Sequence, residues 1–333
     1  MSDIPVSSTD QQTSEKQRIS VRRIFSIILR VLLVGVILYF LFRQISSHWA
    51  EIEAYNWNID FTWFILSILA GLVTFVIMAS AWRSIIDAFG HRLRLRDAFR
   101  IIYLSDLGRY IPGKVWQLFG VLYLAHQKGV PPERAGASFV LVQMFAIPAS
   151  FLVFVLAAQF EPKLLINQVS FLGEGASYII TGFMVALCVL LVLYPHRFLA
   201  FGNKILRRFK RPEVHFHLDK RVALFVFVRY CIAWTCYGVA FWLFVRSVVP
   251  ECQLSLIAGV GLFNAAYQIG YLTLIAPGGF GPRELVMGTM LTPFVGPIGP
   301  AVAIAARLWA VVIESLSALL ALMVGKNSNG VDS

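Results

Sequence analysis

Residues 107–117 read LGRYIPGKVWQ, and residues 276–284 read APGGFGPRE. Each stretch interrupts an apolar run with Pro-Gly breaks and fixed charges. Such backbone survives at membrane depth only where protein or a watery cavity satisfies its polar groups. Two interrupted segments, one in each half of a chain, are a sequence pointer to a membrane substrate site.

The surrounding sequence supplies the membrane. Of 333 residues, 58% are hydrophobic and 14% charged, where a soluble domain carries about a quarter charged residues. Mean hydropathy is +0.72. Apolar runs near the roughly 20 residues of a spanning helix lie at 24–42, 61–81, 135–160, 178–194, 230–249, 254–276 and 300–324. The segments 101–124 and 285–296 are apolar but interrupted or short. The expected fold is therefore all-α: a polytopic helical membrane protein with about seven spanning helices and two re-entrant, broken-helix segments. Residues 1–20 read as a disordered cytoplasmic tail. Arg22 and Arg23 then precede an apolar run too long for a signal peptide, so a retained first helix is expected. Residues 21–325 form one transmembrane domain, with 326–333 a short tail.

Charge fixes a provisional orientation. The net charge of +11 sits in loops beside apolar helices, which speaks for topology and anionic lipid rather than nucleic acid. Arg83, Arg92, Arg94, Arg96 and Arg100 form one basic loop, and Arg197 to Arg221 form a second. Glu51, Glu53 and Asp60, and later Glu161 and Glu174, mark the loops between. The alternation holds only if 101–124 does not cross. It then places the N-terminus and both basic loops in the cytoplasm of a cell with a cytoplasmic-membrane location. A weak internal echo (Tyr103-Leu104-Ser105 before Pro112-Gly113, Tyr271-Leu272-Thr273 before Pro277-Gly278) suggests a two-part design, with broken segments 101–124 and 277–296. On this layout both enter from the cytoplasmic side.

The motifs carry anion-binding chemistry. Gly108 and Pro112-Gly113 end one half-helix and permit a tight turn. Lys114 opens the next, whose first N–H groups and dipole favour an anion. Arg109 adds a planar fork suited to phosphate, and Gln117 lies one turn beyond Lys114. In the second motif Pro277 breaks the helix, and Gly278, Gly279 and Gly281 allow close backbone approach. Pro282 suits a first helical turn, opened by Arg283 and Glu284. The last apolar run holds Arg307 and Glu314, on one side and about 10 Å apart along the axis. A mid-helix charge costs roughly 2.5–3.5 kcal/mol on insertion scales, so each needs a partner. Glu284 is paired with Arg307, and Glu314 with Arg109, Lys114 or Arg283.

Plainer readings stand beside these. Arg109 and Lys114 also suit interface anchors, Tyr110 and Trp116 the headgroup region, and Arg307–Glu284 a structural bridge. Asn264 and Gln268 read as helix glue. Cys188, Cys231, Cys236 and Cys252 form neither CxxC nor a metal spacing, so no metal or cofactor is expected.

At Gly108–Gln117 (GRYIPGKVWQ), Pro277–Glu284 (PGGFGPRE) and the following Arg307, the chain resembles the transmembrane region of lysylphosphatidylglycerol synthase, also called flippase-like membrane proteins. The resemblance runs from about Ile24 to Gly325. Pro282 departs from the small or aliphatic residue expected there. It implies lipid translocation between leaflets, of a phospholipid or a polyprenyl-linked lipid. Two-part relatives add a soluble aminoacyl-transfer domain. The chain stops at Ser333, so that domain is expected to be absent and synthase activity is not carried over. Membrane lipids are the implied partners. The alternative functions are an accessory subunit of a lipid synthase or glycosyltransferase, and an enzyme using a polyprenyl-phosphate sugar. No HExxH, Walker A or G-x-S-x-G motif supports the enzyme.

Overall fold

A computed structural model describes Ser46, Trp49, Glu53, Tyr55 and residues 57–110, 115–162, 164, 176–194, 218–273, 279 and 281–326. All but Ser46 lie in the compact unit His48–Ser333. The expected first span, 24–42, lies outside the described residues.

The described residues are helical, in order α1 (Phe61–Ala88), α2 (Leu95–Asp106), a 3-10 turn (Leu107–Tyr110), α3 (Val115–His126), α4 (Pro132–Phe160), α5 (Ala176–Leu193), α6 (Lys220–Val248), α7 (Leu256–Leu272), α8 (Pro282–Val295), a second 3-10 turn (Gly296–Ile298) and α9 (Gly299–Lys326). Among the described residues, four apolar stretches are long enough to cross a membrane: α1, α4, α6 and the combined 282–324 region of α8 and α9. α5 and α7 are shorter apolar helices. This is a polytopic helical membrane protein.

Polar residues set the helix ends. Asp60 caps α1 by accepting from Thr62 N–H at 2.8 Å, Asp219 caps α6, and Ser255 caps α7 from Ala258 N–H at 3.0 Å; each satisfies an otherwise orphaned donor. Along α1, Phe61, Ile65, Leu69, Val73 and Val76 stay exposed at near-helical spacing. So long an apolar stripe left outside is a lipid-facing surface. The opposite side buries Trp82, Ile85 and Ile86.

The centre is aromatic. Tyr237, Phe241, Phe263 and Trp309 are fully buried, and the Tyr237 and Phe263 rings meet edge-on at 4.6 Å. Trp309 and Trp82 keep their indole N–H groups satisfied on Ser67 and Ser138 hydroxyls, at 2.9 and 3.0 Å. That is what a buried Trp requires.

Cross-chain contacts fix the direction of each helix. Asp60 N–H donates to Ser247 C=O at 2.9 Å, Ser255 Oγ donates to Glu161 at 2.6 Å, and Gln253 N–H donates to Phe294 C=O at 3.2 Å. The start of α1, the ends of α4 and α6, the start of α7 and the end of α8 thus share one end, the Asp60 end. At the other, Arg134 donates to Phe89 C=O at 2.5 Å, Lys128 pairs with Asp97 at 3.0 Å, and Lys220 covers the Tyr194 ring at 5.9 Å. That is the Ala88 end.

Two helical hairpins follow from this. α2 and α3 leave and return at the Ala88 end, each about 18 Å long. α7 enters from the Asp60 end and α8 returns to it. The expectation that both broken segments enter from one side is therefore corrected: they oppose each other. Of the run 254–276, the described helix is α7, Leu256–Leu272, a shorter apolar helix. The helix expected over 285–296 starts at Pro282, and the Gly296–Ile298 turn lies at the Asp60 end. The physical cause is in the glycines. Gly288 packs on Pro300, where an added Cβ would stand 3.0 Å from its Cα, so α8 and α9 lie back to back.

Candidate functional site

The first hairpin is closed by small residues. A Cβ on Gly108 would meet the Gln117 backbone N at 2.7 Å, and one on Gly120 would meet Ser105 at 3.0 Å. Gly108 therefore serves close backbone contact rather than a left-handed turn; it is absent from the positive-φ glycines. Tyr103 anchors the hairpin to α1, donating to Phe75 C=O at 2.7 Å with its ring stacked on Phe75 at 4.7 Å. The tip carries Asp106, Arg109 and Tyr110.

The second hairpin is closed by Gly270 and Gly279. A Cβ on Gly270 would stand 2.5 Å from Arg283 Cβ, and one on Gly279 would stand 2.7 Å from Gly270 O. Gly279 (φ +76°) and Gly281 (φ +91°) occupy backbone conformations open to glycine. Pro282 then sits in the first turn of α8, and Glu284 Oε2 accepts from Gly281 N–H at 2.8 Å. The helix start at Pro282 is thus well formed, with Gly281 at its N-cap and Glu284, in the first turn, holding the Gly281 N–H.

The two tips meet beside α9. Arg109 donates from Nη1 to Glu314 Oε1 at 3.2 Å and to Tyr267 Oη at 3.1 Å, and also pairs with the Asp106 carboxylate. Gln117 holds the other Asp106 oxygen. Tyr110 is buried and donates to Glu314 Oε2, so it is a cluster member and not a headgroup-level ring. Arg307 Nε stands 3.8 Å from Glu284 Oε1, with its guanidinium 5.7 Å from the Tyr110 ring. Arg283 lies over Tyr267 at 4.7 Å, a cation–π contact. The Glu284–Arg307 and Glu314–Arg109 pairings are both present.

Among the described residues, three arginines and three carboxylates therefore gather in one network, with Arg283, Glu284, Arg307 and Glu314 buried and Asp106 and Arg109 partly so. Glu314 lies about 22 Å along α9 from Gly299 and about 18 Å from Lys326, near the middle of that helix. Charges so placed need partners and hydrogen bonds, because desolvation costs several kcal/mol per ion.

Two voids adjoin the network. A recess of about 30 Å³ is lined by Arg109, Arg283, Arg307, Tyr267, Gly270, Tyr271 and Gly279; among the described residues its wall holds three guanidinium groups and no carboxylate. A larger cavity, about 110 Å³, is lined by Asp106, Arg109 and Gln117 with Gln268 and several aromatic residues of α1, α6 and α7. Arg109, Tyr267 and Tyr271 belong to both walls.

Of the sequence-derived site residues, Arg109, Gln117, Gly279, Arg283, Arg307, Glu284 and Glu314 come together here, and Gly281 forms the adjoining cap. Pro112, Gly113, Lys114, Pro277 and Gly278 lie outside the described residues. Asn264 is helix glue: it accepts from Ser150 at 2.7 Å and donates to Trp234 C=O at 3.1 Å. Gln268, one turn on, faces the cavity wall. Asp106, Tyr267 and Tyr271 were missed. A lone Asp closing a half-helix, three residues before Arg109, was the available signal for the first.

Comparison with curated proteins finds no match. Residues 27–325 match the family described as Lysylphosphatidylglycerol synthase TM region, and the chain belongs to that family.

Proposed function

We propose that this protein moves a lipid with an anionic or phosphate-bearing headgroup, a phospholipid or a polyprenyl-linked lipid, between the leaflets of the cytoplasmic membrane. The observation that carries this reading is the tip-to-tip meeting of two opposed hairpins around a buried charged network, with Arg109 joined to Glu314. In this reading both hairpins are re-entrant. α2–α3 enters from one face and α7–α8 from the other, and the path between leaflets runs past their tips. Broken helices meeting near the midplane are how transporters build such a site.

The recess walled by Arg109, Arg283 and Arg307 receives the phosphate, which planar guanidinium forks hold well. Asp106, Glu284 and Glu314 balance those charges while the recess is free of lipid. The acyl chains stay in the bilayer, and no bond of the lipid is made or broken. Arg83, Arg92, Arg94, Arg96 and Arg134 cluster at the Ala88 end, which supports a cytoplasmic position for it. The run 24–42, read as a crossing, then puts the N-terminus in the cytoplasm.

Leaflet exchange in proteoliposomes tests this. Headgroup-labelled phosphatidylglycerol, lysylphosphatidylglycerol and a polyprenyl phosphate are each followed with the parent protein, Arg109→Ala and Glu284→Gln. Exchange that falls at least tenfold in both variants is expected for one lipid class. No exchange from folded protein, with a lipid synthase or glycosyltransferase co-purifying, replaces this reading with the accessory role. Turnover of a polyprenyl-phosphate sugar, abolished by Glu284→Gln, replaces it with an enzyme.

A further inference from the structure

Arg109 lines both voids and holds two carboxylates at once, Asp106 and Glu314. Among the described residues the network has as many guanidinium groups as carboxylates, so its own side chains balance. A phosphodiester brings one more negative charge. Uncompensated charge away from water is costly, and a carboxyl group crowded by other anions takes a proton instead.

The three carboxylates are unequally held once a phosphate engages Arg109. Glu314 keeps the Tyr110 O–H. Glu284 keeps the Gly281 N–H at 2.8 Å, with Arg307 3.8 Å away. Of its two partners, Arg109 and Gln117, Asp106 keeps the uncharged one. Asp106 is also the carboxylate that water reaches. Its side chain is 16% exposed, against 8% for Glu314 and 3% for Glu284. It lines the 110 Å³ cavity, several times the roughly 10–15 Å³ that one water occupies.

The groups facing Asp106 leave it this role. Arg109 and Glu314 are the charged ones. Tyr103 from α2, Tyr230 from α6 and Tyr271 from α7 are phenols, a group uncharged below about pH 10. Among the described residues, α1, α3 and α4 add no titratable side chain to the cavity wall. Arg307 pairs with Glu284, and Arg283 lies over Tyr267.

We infer that Asp106 takes up one proton as the phosphodiester enters the recess and returns it when the lipid leaves, so that lipid and proton travel as a neutral pair. Protonation turns one Asp106 oxygen from acceptor to donor, while Gln117 keeps the other. The membrane potential then neither drives nor opposes the step, and a pH difference across the membrane biases it. This rests on the lipid reading for the phosphate position.

Proton uptake is read directly. Short-chain phosphatidylglycerol and a glucosyl-phosphoryl-prenol, phosphodiesters of fixed single charge, are titrated into the full-length protein in weakly buffered detergent with a pH-indicator dye. Affinities follow from melting temperature at a series of pH values. The lipid that binds is expected to bring in about one proton per molecule at the maximum. Its affinity should weaken by up to about tenfold per pH unit as pH rises from about 5 to about 8. Asp106→Asn and Asp106→Ser, both permanently uncharged, are expected to bind with no proton uptake and a flat pH profile. Asp97→Asn, at the base of the hairpin, keeps the uptake. Lipid binding by the parent protein without uptake overturns the inference and leaves the lipid reading in place, as does uptake that persists in either Asp106 variant. Binding of neither lipid overturns both.

Discussion

Arg109 and Glu314 stand 205 residues apart in the chain and 3.2 Å apart in the fold. The contact ties the tip of a hairpin from the Ala88 end to the middle of α9. The two partners are not equivalent. Arg109 also serves Asp106, whereas Glu314 also accepts from Tyr110. Removing one member of a buried ion pair costs about 3–5 kcal/mol, because the other charge is stranded. Arg109→Gln strands two carboxylates, Asp106 and Glu314; Glu314→Gln leaves Arg109 with Asp106. Arg109→Gln is expected to lower the melting temperature in detergent distinctly more than Glu314→Gln. The double variant should show coupling of about 1–3 kcal/mol. Equal, small losses from both single changes would show that the contact holds nothing together.

Glycine positions separate close packing from composition. Gly270→Ala pushes a methyl to 2.5 Å from Arg283 Cβ, while Gly182→Ala in α5 meets nothing within 4 Å. Overpacking costs about 1–3 kcal/mol. An Ala in an open helix interior gains about 0.5–1 kcal/mol over Gly. Gly270→Ala should therefore lower the melting temperature and disturb the Arg283 recess, and Gly182→Ala should hold or raise it. The measurement is fluorescence-detected melting of both proteins side by side. A harmless Gly270→Ala would mean that the α7–α8 hairpin is looser than its geometry.

These contrasts explain what could be read from the letters. Arg109, Glu284, Arg307 and Glu314 stood out because a charge within an apolar run must find a partner; charge alone gave the pair Glu284–Arg307 and left Glu314 open to Arg109, Lys114 or Arg283. Tyr267 and Tyr271 did not stand out, since a Tyr in an apolar helix has many uses, and Gln268 was read as helix glue rather than as part of the cavity wall. The direction of the second hairpin was not legible for a specific reason. Thr273 to Gly281 and Gly296 to Pro300 contain no charged residue, so the positive-inside rule had nothing to act on. The first hairpin is flanked by Arg94, Arg96 and Lys128, so that rule had charges to read there.

At the base of that first hairpin, Asp97 receives Arg94 Nε and Lys128 Nζ, each at 3.0 Å. Burial pushes its carboxyl up, but the hydrogen bonds and charges of Arg94 and Lys128 outweigh burial and hold it below the ordinary value. A carboxylate with a lowered folded pKa stabilises the fold above its unfolded pKa, about 3.9. That contribution is lost as pH falls through the folded value. The parent protein should lose melting temperature below about pH 4, where Asp97→Asn changes less steeply. At neutral pH Asp97→Asn should cost about 0.5–1 kcal/mol, because Arg94 is largely exposed and such pairs are weak. Parallel pH profiles for the two proteins would remove Asp97 as the clasp.

Opposed hairpins make a sharper claim about sidedness. Gln127, just past α3, and Pro297, in the turn after α8, are both exposed and lie at opposite ends of the fold. In a background lacking Cys188, Cys231, Cys236 and Cys252, Gln127→Cys and Pro297→Cys are labelled in intact cells with a membrane-impermeant maleimide. With the Arg-rich Ala88 end in the cytoplasm, as proposed, Pro297→Cys is expected to label from outside, and Gln127→Cys only after permeabilisation. Labelling of both from the same side contradicts the opposed arrangement, and with it the path between leaflets past the two tips. A reversed pattern preserves the hairpins and inverts the orientation, so the experiment separates the architecture from its direction in the membrane.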